Sequence, residues 1–180
     1  VTTSAGRFRP ALLNPDEIGG KLMSHAARYA HLVNTLSALR RRGNGLDCSY
    51  HAALYLMASH PDLAEKAERY FSVDGIDFPK LMRKESFDYD WMKVVADAAH
   101  NLFSWNSKCA ATPFELSRLP APYTQMVCDA LFIANGDYQV QLRQNEQGEA
   151  EILLDDSPLR RKEAIALQFE RLTAEAGAEL

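Results

Sequence analysis

A mainly α-helical fold is what this chain predicts, an irregular bundle of about six or seven helices with a C-terminal two-stranded β-hairpin and a terminal helix. Three observations lead there. Helix-start signals recur: Asn14-Pro15-Asp16-Glu17 and Thr112-Pro113-Phe114-Glu115 each place a capping side chain first, proline next and glutamate at the third helical position, and Ser157-Pro158 repeats the first half. A cap oxygen accepts an orphan amide, proline loses no useful donor there, and the glutamate answers a free N–H. Apolar residues recur at three- and four-residue steps through most of the chain. Between Tyr138 and Leu154 the period shortens to two.

The first helical stripe runs through Ile18, Leu22, Ala26, Tyr29, Val33 and Leu36. Gly19-Gly20 weakens its start, since glycine costs about 1 kcal/mol in a helix interior. A turn near residues 15–22 and a helix over 24–42 are expected, stopped by Gly43-Asn44-Gly45. A second helix opens at Leu46 or Asp47 and runs through Tyr50, Ala53, Leu54 and Met57 to a break at His60-Pro61. A short helix spans 61–71, and Asp74-Gly75 marks a turn before one or two helical turns over Phe78–Lys84.

The clearest helix follows, capped by Asp88, with Trp91, Val94, Val95, Ala98, Leu102 and Trp105 in line and Met92, Ala99 and Phe103 widening the arc. It ends near Asn106-Ser107-Lys108. The Thr112 box starts a short helix to Leu119, and Tyr123–Ala134 makes another core helix, stopped by Asn135-Gly136. The helices centred on Ala98 and Ala130 are expected at the middle, with Trp91, Phe103, Trp105 and Phe132 in the core. Tyr138, Val140 and Leu142 alternate, Asn145–Glu149 turns, and Ile152 and Leu154 return. From Pro158 the helical stripe is Ile165, Phe169, Leu172 and Ala176. The organisation expected is a flexible segment over 1–13 and a single helical domain over 14–180, with 138–180 as a hairpin-plus-helix appendage.

Bulk properties exclude several classes. Apolar content of 47% and charged content of 24% are those of an ordinary globular chain. The formal charge of -4 gives no general electrostatic case for nucleic acid. No apolar run reaches the length of a membrane span. Three cysteines, Cys48, Cys109 and Cys128, are odd in number and widely spaced, so a reducing compartment, the cytoplasm, is expected. Arg40-Arg41-Arg42 precedes a glycine stop, where cations complement a helix dipole; a phosphate or polyanion contact is the alternative.

Chemistry-bearing residues are sparse. Asp47, Cys48, His51 and His60 form the densest cluster of possible metal ligands. Cys48 and His51 are one helical turn apart and so are able to share a metal or a proton. Packing of Cys48 as a small hydrophobe is the plainer reading. Asp97 and His100 sit three apart, half of a general-base arrangement or a simple surface pair. No Walker loop, dinucleotide fingerprint, nucleophile elbow, calcium loop or HExxH helix occurs. No cofactor is expected.

The stretches YHAALYLMASHPDLAEKAERYF, GIDFPKLM and AHNLFSWNS, with TPFELSRLPAP after it, resemble a family of small, mostly helical bacterial proteins of uncharacterised function. The resemblance covers about half the chain and implies the same order of helices. It brings no active residues to transfer. The leading functional expectation is a non-enzymatic interaction or adaptor domain with a protein partner or a second copy, through the hairpin or through Ile165, Phe169 and Leu172. The alternative is a small metal-dependent or Cys–His hydrolase built on Cys48 and His51.

Overall fold

The computed structural model describes residues 23–40 and 45–178. The segment 1–13, the Asn14 box, the turn at 15–22 and Arg41-Arg42 lie outside the described residues. Those described form, in chain order, α1 (His25–Arg40), α2 (Cys48–Met57), α3 (Pro61–Glu68), β1 (Phe71–Ser72), β2 (Gly75–Ile76) and α4 (Phe78–Lys84). They continue with α5 (Asp90–Phe103), α6 (Pro113–Ser117), α7 (Tyr123–Ala134), β3 (Gln139–Gln144), β4 (Ala150–Asp155) and α8 (Ser157–Ala178). The architecture is mainly helical with two antiparallel hairpins, β1–β2 and β3–β4, the second leading into the terminal helix.

The hub is α2, not the pair of helices expected at the middle. Every residue from Ala52 to Ser59 is buried, so beyond its first turn this helix has no solvent face. Its alanines, leucines and methionine are strong helix formers. They also let neighbours come close: Ala52 and Ala53 of α2, Ala96 and Ala99 of α5 and Ala130 of α7 are all fully buried. Helices α5 and α7 pack against it, and Tyr29, Leu32 and Leu36 of α1 join the same core.

An enclosed helix leaves its end groups nowhere to go but to other protein atoms. At the N-terminus the Asp47 carboxylate accepts from Ser49 N at 2.9 Å and Tyr50 N at 3.2 Å. At the C-terminus the donors come from α1. His25 Nε2 donates to the Tyr55 carbonyl at 2.9 Å, and Arg28 donates to Ala58 O at 2.7 Å and Ser59 O at 3.0 Å.

Several local readings hold and others shift. The Thr112 box closes in both directions: Glu115 N donates to Thr112 Oγ1 at 3.3 Å, and Thr112 N donates to the Glu115 carboxylate at 2.7 Å. Asp77 caps α4 through Lys80 N. Asp88 does not cap α5; Tyr89 is its N-cap residue and no side chain caps it. That helix stops at Phe103, two residues short of Trp105, which is 92% exposed rather than in the core. Phe132 is exposed too, stacked on Tyr138 at 4.7 Å.

The β3–β4 hairpin finds its cover internally. Val140, Leu142, Ile152 and Leu154 pack on the core, and β4 lies against α1. Ser157 is the first residue of α8 rather than the expected cap, and the Asp155 carboxylate ahead of it accepts from Ser157 N and Ser157 Oγ, both at 3.0 Å. Leu159 N donates to Asp137 O, and Lys162 Nζ donates to the Asp137 carboxylate and to Asn135 O. Beyond that anchor the helix leaves the body: residues 160–174 are all exposed. Residues 163–178 extend roughly 24 Å at 1.5 Å per residue.

The two regions should respond oppositely to truncation. Leu54→Ala, at a fully enclosed position, is expected to cost about 2–5 kcal/mol in urea unfolding. Leu172→Ala, on the projecting part of α8, is expected to cost less than about 0.5 kcal/mol in a monomeric sample. Equal losses at both sites would contradict this architecture.

Candidate functional site

Residues singled out for chemistry are spread along α2 and α5, and most of them order backbone. Asp47 is consumed as the α2 cap. Cys48, next in line, is exposed and free rather than packed as a small hydrophobe. Its sulfur borders the turn at Gly136, whose φ of +72° is the left-handed conformation that ends α7. His51, one turn on, faces α1: its Nδ1 is 2.7 Å from the Tyr29 hydroxyl. No hydrogen bond joins Cys48 to His51.

This Tyr29–His51 contact sits within a small polar seam between α1, α2 and α7. Burial pushes the Tyr29 phenol well above its ordinary value. Burial also lowers His51, against the opposing pull of Asp47 and a hydrogen bond that the imidazole donates to the Leu46 carbonyl. The neighbouring Tyr55 hydroxyl donates to Asp129 at 3.2 Å; burial first, then the Asp129 charge, raises that phenol. His25 is likewise lowered by burial. The hydrogen bonds of His25, Tyr29, His51 and Tyr55 hold α1, α2 and α7 together.

His60 is the N-cap of α3, where Nδ1 accepts from Asp62 N at 3.2 Å. Its ring edge meets Trp91 at 5.6 Å, and Trp91 stacks on Tyr123 at 4.1 Å. Asp62 pairs with the buried Lys66. The four candidate ligands therefore serve separate local tasks. Among the described residues no group of three or more His, Cys, Asp or Glu is placed to hold a metal ion.

Asp97 and His100 also part company. The Asp97 carboxylate, 8% exposed, accepts from the backbone amides of Ala110 and Ala111, the latter at 2.7 Å, and from Cys109 Sγ at 3.4 Å. His100 stacks on Phe78 instead, 5.3 Å away and 12° from parallel. One turn beyond Asp97, Asn101 Nδ2 donates to Ser107 O at 2.9 Å. Together these two α5 side chains hold down the loop on either side of Lys108, while Trp105 stands out at its start. No single-residue sequence signal marks this arrangement, because the partners are backbone amides.

Arg40 closes α1 with its guanidinium 4.4 Å from the centre of the Tyr50 ring. The last group of candidates is Ile165, Phe169 and Leu172, at 67%, 68% and 57% exposure. They lie at i, i+4 and i+7, one line along α8. That line is the largest exposed apolar feature of a single element here.

The chain matches no family model, no curated protein and no solved structure. Ser59 Oγ is the buried side-chain polar atom without a hydrogen-bond partner among the described residues.

Two measurements check the electrostatics. Burial raises the Cys109 thiol, with the Asp97 charge and hydrogen bond adding to it. In a Cys48→Ser, Cys128→Ser background, Asp97→Asn is expected to speed thiol labelling of Cys109 several-fold near pH 8 and to accelerate exchange of the Ala110 and Ala111 amides. Unchanged labelling and exchange would remove Asp97 from this role.

His25 and His51, both lowered by burial, have folded values below the unfolded value of about 6.5. The unfolded chain then binds more protons, so their contribution is complete above about pH 6.5 and declines as pH falls. Melting temperature should drop between about pH 7.5 and 5.5, less steeply in His25→Gln. A flat or rising profile would contradict the assignment.

Proposed function

We propose that this chain is a protein-interaction module, an adaptor without chemistry of its own, that docks through the apolar stripe of α8. The observation that carries the reading is the contrast along one helix. Its base is fixed by Asp155, Asp137 and Lys162, while Ile165, Phe169 and Leu172 further out face solvent. Isolated helices are marginal in water, and an amphipathic helix is ordinarily stabilised by covering its apolar face. An exposed apolar line on a rigidly aimed helix fits a docking element. Three exposed, unpaired cysteines suit the reducing cytoplasm as its place of work. No helix among the described residues is long and apolar enough to cross a membrane.

The hydrolase reading at Cys48 and His51 has less to stand on. It needs the two side chains to share a proton or a metal, and His51 spends Nδ1 on Tyr29 while Cys48 borders Gly136.

Phe169→Asp separates docking from internal packing. In a monomeric sample the variant is expected to melt within about 1 °C of the parent, because surface substitutions move stability by less than about 0.5 kcal/mol. A photoreactive residue in place of Phe169 should give a discrete protein adduct in the cells that make the chain. A melting loss of several degrees in the monomer would show that the stripe packs on its own body and would overturn the docking role.

A further inference from the structure

We draw no further inference here: the strongest candidate, the cleft between the end of α4 and the start of α5, walled by Phe87 and Tyr89 and edged by Glu85, Asp90 and Lys93, carries nothing because Glu85 is already held by Arg69 and Tyr70 and the remaining charges are of both signs, so nothing in the structure shows which ligand it takes.

Discussion

A helix buried on every side beyond its first turn is the constraint from which the rest of the structure follows. Burying α2 on all sides requires small residues where α5 and α7 approach, and Ala52, Ala53, Ala96, Ala99 and Ala130 supply them. It also requires partners for the end groups that water would otherwise take. Asp47 answers the first amides, and His25 and Arg28 answer the last carbonyls. Because those donors belong to α1, enclosing α2 fixes the position of α1, and α1 in turn is the surface on which β4 lies. Arg28 adds a positive charge where the α2 dipole is negative.

The same logic explains why the titratable groups serve as ties between elements. Tyr29 and His51 join α1 to α2, Tyr55 and Asp129 join α2 to α7, and Asp97 ties down the loop after α5. At the far end, Asp137 holds Lys162, which also keeps the Asp137 carboxylate below its ordinary range. Apart from Ser59 Oγ, the buried polar side chains among the described residues end at backbone or at one another. What remains unspent is apolar and projecting: the α8 stripe, with Leu131 and Phe132 at its foot.

Local signals were legible in the sequence because they depend on neighbours in the chain. The Thr112 box, the short helix over Phe78–Lys84 and the alternation over 138–154 need only short-range chemistry, and each appears where the pattern puts it. Rank in the core was less legible. Periodicity found α5 and α7 because each keeps a polar side, whereas α2 is buried all round and leaves little amphipathic contrast to detect. Trp105 misled for a related reason: its spacing continues the α5 stripe, but the helix ends at Phe103 and the next residues turn under the hold of Asn101. Pairings such as Arg28 with Ala58 and Ser59, or Asp97 with Ala110 and Ala111, join side chains to backbone groups across sequence gaps. They carry no pattern that a single sequence displays. The α8 stripe was visible as a helix face, and only the fold shows that its own body leaves it uncovered.

Hydrogen exchange followed residue by residue tests the central claim most directly. In a dilute, monomeric sample the α2 amides should be among the slowest, exchanging only through global unfolding, while amides beyond Lys162 in α8 exchange orders of magnitude faster. Protection of α8 equal to that of α2 would mean that its apolar line is already covered by the chain itself, contradicting the division between an enclosed hub and a projecting, uncovered helix.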